Sequence, residues 1–489
     1  MRDVLGPLAS DPAAINSGEL DDLIHAISQH GRRCIRPRPG LDLSDLPFET
    51  EAVPWSSTAR FLVDSRIRPG STLRYAAGDF AIQDAASLLP LTLMQLQPGQ
   101  LVCDLCAAPG GKSLAILEKL EGRGLLLSNE VIASRVDTLQ LALARSGYRN
   151  YLITNRPTEQ LSEVAREAFD CVLVDAPCTG QSMLARGKQS LSAFSDKQIV
   201  HSAARQQSIL RAAVQLVRPG GRLVYSTCTF AFAENEAIMA WLKQQLPGWE
   251  PLVVDELAAW QTPGFTGCYR LWPHRDSCAG GFAAALVRPR GDQAEANLIT
   301  AENNFSALLD DRQPRRPARF KGAVQWSTWQ DRAVMDEWGE TASEQSFWQR
   351  GHRAHWFDPQ IPESWRHIAH AGIEVAVAYG EHWQPGYPLA TLTDDDSSWF
   401  RPHRHIDLSD SEAIQFMSGA SLHSPGAASS TVDKLGVAHD PAGNYQGAGP
   451  SVAGWCIARW RDRPLSWAKQ VGTQLKNHLP KPLRQPSLH

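Results

Sequence analysis

The sequence predicts an α/β core on a mostly parallel sheet, led by a small α+β domain and followed by a mostly-β module. Three observations support this. Fully apolar runs alternate with helical stretches from about residue 80 to 287, as strands covered on both faces do. The 489 residues leave room for two to four domains of roughly 100–200 residues each. With 43% apolar and 20% charged residues, the composition is that of a globular protein rather than a disordered chain or a coiled-coil rod.

Taken in order, residues 1–74 form the leading domain. They hold an amphipathic helical pattern from Leu20 to Ile27, an Arg/Pro stretch from Arg32 to Pro39, and broken extended segments. The core spans 75–290, with strands expected at Leu101–Leu105, Gly124–Leu127, Cys171–Val174, Leu223–Tyr225 and Phe282–Val287. A basic linker, 291–322, carries Arg312, Arg315, Arg316, Arg319 and Lys321 among prolines. The rest, 323–489, is rich in tryptophan and histidine, with strand-like pieces at Ile373–Ala378 and Gly454–Trp460. Within it, 424–449 reads as an exposed or disordered loop of Ser, Gly, Ala and Asp. There is no internal repeat.

Lys and Arg number 48 against 52 Asp and Glu, a net charge of −4, so any nucleic acid must be gripped by local patches. Nine irregularly spaced cysteines do not make a secretory disulfide framework. No apolar stretch follows Met1-Arg2-Asp3, and no run approaches the roughly 18 apolar residues of a membrane span. A cytoplasmic protein without a membrane partner is expected.

The first chemical signal is the run Val102 to Ser113, an apolar strand, a turn Cys106-Ala107-Ala108-Pro109-Gly110-Gly111-Lys112, and a helix from Leu114 to Leu120. Glycine lets a ligand approach the backbone, and the N–H groups opening a helix suit a carboxylate or phosphate. A nucleotide P-loop would need glycine where Cys106 stands, and no GxGxxG is present. A turn serving strand-to-helix geometry alone remains possible at this point. Asn129-Glu130 follows the next strand, where nucleoside-binding α/β folds put an acid against ribose hydroxyls. Cys103 and Cys106 form a CxxC with no second pair to complete a zinc site. The histidines, among them His352, His355, His367, His370, His403 and His405, lack accompanying ligands, so no metal is expected.

The second signal is a pair of strand ends, Asp175-Ala176-Pro177-Cys178-Thr179-Gly180 and Tyr225-Ser226-Thr227-Cys228-Thr229. In a parallel sheet both lie at the carboxyl edge, where ligands bind. Either cysteine alone reads as a small buried hydrophobe. Two cysteines and an aspartate beside a nucleoside pocket suit covalent addition of a thiolate to an electron-poor ring.

These residues carry a resemblance. From Gly78 to about Arg288 the chain resembles the catalytic domain of the Sun-type RNA cytosine-5 methyltransferases. The matching pieces are Gln83 to Ser87, Cys106 to Lys112, Asn129-Glu130, Asp175 to Cys178, Pro219 to Gly221, Tyr225 to Thr229, Glu234 to Glu236 and Arg270 to His274. The resemblance implies a Rossmann-like core that uses S-adenosylmethionine, with Cys106, Ala107, Ala108, Pro109, Gly110, Gly111 and Lys112 at its methionine end and Glu130 at its ribose. It implies Cys228 as the nucleophile on cytosine carbon 6, Asp175 as the group on nitrogen 3, itself lining the cofactor site, and Cys178 as the aid to product release. Where the family carries an aspartate near the adenine, this chain has Asn155, and its Pro-Cys motif continues Thr179-Gly180-Gln181-Ser182 instead of Ser-Gly-x-Gly.

The C-terminal part is similar to the PUA-like RNA-binding region of the F-type branch of the bacterial 16S rRNA cytosine methylases, most closely over Leu465 to Gly472 and Gln474 to Asn477. Arg459, Arg461, Arg463, Lys469, Lys476, Lys481 and Arg484 stand there against one local acid, Asp462. Trp455, Trp460 and Trp467 read either as core or as base-stacking surfaces. Arg32 to Arg38 reads either as an RNA grip or as a solvated turn. The expected partner is RNA, 16S rRNA or the small ribosomal subunit, met by a monomer. The alternatives are tRNA and a non-catalytic assembly factor, which the intact Cys178, Cys228 and Asp175 disfavour.

Overall fold

The computed structural model describes residues 18–29, 31–290, 347–358, 361–379, 382–392, 405–423 and 454–488. The linker at 291–322, the loop at 424–449 and His403 lie outside the described residues. Two compact units emerge, one from 1–67, 80–316 and 360–372, the other from 68–79, 317–359 and 373–489.

In the first unit, helix α1 (Leu20–Ser28) buries Leu20, Leu23 and Ile27, the three- and four-residue spacing of one helical face. Strands β1 (Cys34–Pro37), β2 (Thr50–Val53), β3 (Ser56–Leu62) and β4 (Phe80–Ile82) make an antiparallel sheet in the order β2-β3-β1-β4. Thus a strand beyond residue 74 completes the leading sheet. The Arg32 to Arg38 run is neither a solvated turn nor a free basic grip. Arg32 pairs with Glu51, Arg33 donates to the Ile67 carbonyl, Arg36 is buried against Glu118, and Arg38 reaches the Ser146 carbonyl. Burial lowers the Arg36 guanidinium to about 10.

The core sheet has nine strands. Strands β5 (Leu101–Asp104), β6 (Leu125–Asn129), β7 (Tyr151–Thr154), β8 (Phe169–Asp175) and β9 (Val217–Thr227) are parallel, in the order β9-β8-β5-β6-β7. Each expected apolar run of the core is thus a strand, and this is the Rossmann-like arrangement. The flanks are antiparallel: β10 (Glu250–Pro251), β11 (Cys268–Leu271) and β12 (Gly281–Val287) on one side, Ala369–Ala371 on the other. Helix α2 (Gly111–Leu120) buries Ala115, Ile116, Leu117 and Leu120. Helix α3 (Ala133–Ala144) buries Val136, Leu139 and Leu143. Helix α4 (Asp196–Leu216) precedes β9.

In the second unit, Phe347–Arg350, Arg353–Trp356, Ile373–Tyr379 and His382–Pro385 form a four-stranded antiparallel sheet. A five-stranded sheet runs His405–Asp407, Gly454–Trp460, Arg463–Val471, Gln474–Asn477, Leu422–His423. Trp455, Trp460 and Trp467 are all buried, so they are core rather than open stacking surfaces. The indole N–H of Trp467 donates to the Gly386 carbonyl (2.9 Å) and that of Trp460 to Asp410 (2.7 Å). Asp79, in the 68–79 segment of this unit, accepts from Arg74 (2.9 Å) and pairs with Arg463 (3.0 Å). Among the described residues no helix is long and apolar enough to cross a membrane.

Candidate active site

The chain runs from β5 to β6 and β7 on one side, then returns to β8 and β9 on the other. The strand order therefore reverses between β5 and β8, and a crevice opens at their carboxyl ends. Both chemical signals of the sequence meet there. The Lys112 ammonium, just inside α2, lies 2.6 Å from Asp175 Oδ2 at the end of β8. Ser226 Oγ, near the end of β9, donates to Asp175 Oδ1 at 2.7 Å. Burial works against the charge on Lys112, but Asp175 beside it holds the ammonium above its ordinary value.

The turn before α2 is built on Gly110, at φ +105°, where a β-carbon would stand 2.7 Å from the Ala142 methyl. No side chain fits there. The turn is anchored by the Ala107 N–H donating to the Asn129 carbonyl (2.9 Å) and by Arg135 donating to the Ala108 carbonyl (2.5 Å). Beneath it, Asp104 is fully buried; Ser113 Oγ donates to Oδ2 (2.7 Å), and Oδ1 has no partner. Burial raises this carboxyl to about 7. Glu130 lies at the neighbouring strand end, accepting from the Ile132 N–H at 2.8 Å and pairing with Arg135 at 3.2 Å. The Asn155 amide donates to the carbonyls of Glu130 (2.5 Å) and Val131 (3.1 Å), fixing the turn after β6. Glu130, Asn155 and the glycine turn therefore surround one end of the crevice, a cradle of glycine backbone with an acid at its rim.

At the other end, Cys178 Sγ and Cys228 Sγ are 3.4 Å apart, and the Cys228 N–H points at Cys178 Sγ, also 3.4 Å. Both are half-buried. The Cys178 thiol, donating to Cys228, holds the Cys228 thiol below its ordinary value against the opposing effect of burial. Cys178 is pushed far up by the same hydrogen bond and by burial. By contrast, Cys103 is wholly buried inside β5, its thiol raised by burial, and burial raises Cys106 too. Among the described residues no group of three His, Cys, Asp or Glu could hold a metal ion.

The contacts that support this site escape a sequence reading. Glu234 is buried behind the two cysteine loops, accepting from Thr179 N (3.0 Å), Thr179 Oγ1 (2.5 Å) and Gln206 Nε2 (2.8 Å). Arg270 forms a buried pair with Glu236 and donates to the Phe230 carbonyl (2.8 Å), while Trp272 stacks on Phe230 at 5.4 Å. The Glu234–Glu236 and Arg270–His274 runs are visible as motifs, but the sequence does not show that Glu236 pairs with Arg270 or that Glu234 takes Thr179 and Gln206.

Residues 91–287 match the family described as 16S rRNA methyltransferase RsmB/F, and residues 403–485 match the methyltransferase RsmF PUA domain. The chain is 28% identical over 453 residues to the ribosomal RNA small subunit methyltransferase F of Enterobacter sp. (strain 638), covering 90% of this chain and 85% of that protein. A methyltransferase homolog protein from Pyrococcus horikoshii is 26% identical with a TM-score of 0.50, covering 58% of this chain and 98% of that one. NSun6 from Pyrococcus horikoshii, solved with SFG, shares the fold at a TM-score of 0.52 and 17% identity, over 59% of this chain and 98% of that one.

Proposed function

We propose that this chain, which carries a methyltransferase domain of the RsmB/F family and an RsmF PUA domain, transfers a methyl group from S-adenosylmethionine to carbon 5 of a cytosine in 16S rRNA. Residues 75–290 catalyse, and the flanking parts, 1–74 and 323–489, grip the RNA. The observation that carries the reading is the pair of cysteine sulfurs, 3.4 Å apart, at the edge that also holds the Lys112–Asp175 pair. The Enterobacter relative named above adds the substrate class, since it is a ribosomal RNA small subunit methyltransferase.

S-Adenosylmethionine supplies a methyl group on a sulfonium. The glycine backbone of 106–112 receives its methionine end, where only Gly110 fits and Asp104 has an unpartnered oxygen; Glu130 receives the ribose, and Asn155 shapes the neighbouring turn. Cytosine carbon 5 is too weak a nucleophile to react unaided. Cys228, as thiolate, forms a bond to carbon 6, and the electron pair of the 5,6 double bond moves toward nitrogen 3, which takes a proton that Asp175 relays from its partner, the Lys112 ammonium. Carbon 5 then bonds the methyl carbon as the methyl–sulfur bond breaks. Loss of the carbon-5 proton to a base restores the double bond and expels the Cys228 thiolate, while the proton on nitrogen 3 returns to Asp175. Cys178, a thiol 3.4 Å from the departing sulfur, serves this last stage. The target base must leave its stack to arrive here.

The test is transfer of tritium from methyl-labelled S-adenosylmethionine to separate pools of unmodified 16S rRNA, small subunits, 23S rRNA and tRNA, with the labelled base identified after digestion. Label in 5-methylcytosine from 16S rRNA or small subunits is expected. Label confined to tRNA would overturn the substrate, and label in another base, or in none, would overturn the reaction.

A further inference from the structure

The two cysteine loops come from different strands, and their sulfurs must stay within about a bond's reach for one to assist the other. What sets that spacing is buried behind them. Thr179 follows Cys178 and Thr229 follows Cys228; their hydroxyls are 2.8 Å apart. Glu234, with no exposed surface, takes the Thr179 hydroxyl on Oε1 (2.5 Å) and the Thr179 N–H on Oε2 (3.0 Å), and its Oε1 is 3.3 Å from the Thr229 hydroxyl. A hydroxyl has one proton, so Thr179 gives its proton to Glu234, and Thr229 shares its own between Thr179 and, more distantly, Glu234 Oε1. Gln206 of α4 donates to Oε2 (2.8 Å), and Tyr225 of β9 donates to the Glu234 backbone carbonyl (2.6 Å), locking the carboxylate against the sheet.

We infer that Glu234 is a positioning residue for the release step: its carboxylate clamps the Cys178 loop at two points, at 2.5 and 3.0 Å, but holds the Cys228 loop by a single longer bond, 3.3 Å from the Thr229 hydroxyl. The asymmetry gives the direction of the effect. Losing the carboxylate frees Cys178 more than Cys228, so attack on the base persists while elimination slows. Gln is the informative replacement, since it keeps the shape but turns an amide donor toward groups that already donate. No nucleotide or cofactor atom needs to touch Glu234.

The inference rests on the proposed chemistry, and the test separates the two. Adduct formation and decay are followed on denaturing gels with labelled substrate RNA under single turnover, for wild type, Cys228→Ala, Cys178→Ala, Glu234→Gln, Thr179→Val and Thr229→Val. If Cys228→Ala gives no adduct and Cys178→Ala retains it, the chemistry stands. Glu234→Gln and Thr179→Val are then expected to form adduct within about threefold of the wild-type rate and to release it about ten- to a hundredfold more slowly. Thr229→Val, which loses only the longer of the contacts to Glu234, is expected to do so less. Unchanged release in Glu234→Gln, or equal slowing of formation and release, would overturn the positioning role. Retention of the wild-type circular dichroism and S-adenosylmethionine affinity guards against misfolding, and Thr179→Val keeps the question open to decision if Glu234→Gln does not fold.

Discussion

The edge of the core sheet and the basic strip of the C-terminal sheet use charge in opposite ways. At the core edge, few charged groups are present and each is held by neighbours: Asp175 between Lys112 and Ser226, Glu130 between Arg135 and the Ile132 N–H. On the strip, seven cations crowd residues 459–484, yet much of that charge is already committed. Arg459 pairs with Asp407, Arg461 with Asp410 and Arg463 with Asp79, and Arg484 donates to the Leu479 carbonyl. Lys469, Lys476 and Lys481 remain. Lys469 and Lys476 face each other in register, an arrangement that costs stability, and burial, with these two cations adding to it, drives His478 down to about 4. The lesson is that a chemical site is made by fixing a few groups, whereas a counted patch overstates its free charge.

The largest effect that would sharpen this contrast belongs to the core edge. Asp175→Asn keeps the hydrogen-bonding shape but removes the proton shuttle, and is expected to lower the single-turnover methylation rate about 10²–10⁴-fold. Next comes the support beneath the Cys228 loop. Arg270→Met leaves the buried Glu236 carboxylate unpaired and is expected to cost about 3–5 kcal/mol in urea unfolding. A smaller change concerns acidity. The hydrogen bond from Cys178 is the main influence lowering Cys228, so Cys178→Ala moves the Cys228 thiol upward. The pH at which Cys228 is half-alkylated by iodoacetamide, read by peptide mass spectrometry, is expected to rise; the wild type stays reactive at lower pH because a lowered thiol ionises earlier.

The smallest effects lie on the strip. Lys469→Ala and Lys476→Ala are each expected to flatten the dependence of log RNA affinity on log salt by about 0.7–0.9, whereas Arg459→Ala, already paired with Asp407, is expected to change it less. Equal slopes for all three would erase the distinction between free and committed cations.

These same regions show what was legible in the sequence. The alternating core, the glycine turn and the two cysteine motifs are local patterns, and strands at 101–104, 171–174 and 223–225 stand where the apolar runs put them. Partners across the fold carry no such pattern. Asp407 and Asp410 lie about fifty residues before the arginines they neutralise, so a window holding only Asp462 left the strip looking bare. The tryptophans there are equally apolar as core or as stacking surface, and only their burial decides. The Arg32 to Arg38 run reads as basic surface until Glu51 and Glu118 are seen beside it. Lys112 belongs by sequence to the glycine turn, but its ammonium ends at Asp175, 63 residues on.

The central claim is that Cys228 attacks and Cys178 releases. It is tested most directly by trapping: Cys228→Ala and Cys178→Ala are each incubated with S-adenosylmethionine and labelled substrate RNA, then run on denaturing gels. The account predicts a stable protein–RNA complex with Cys178→Ala and none with Cys228→Ala. A complex retained by Cys228→Ala and lost in Cys178→Ala would contradict it.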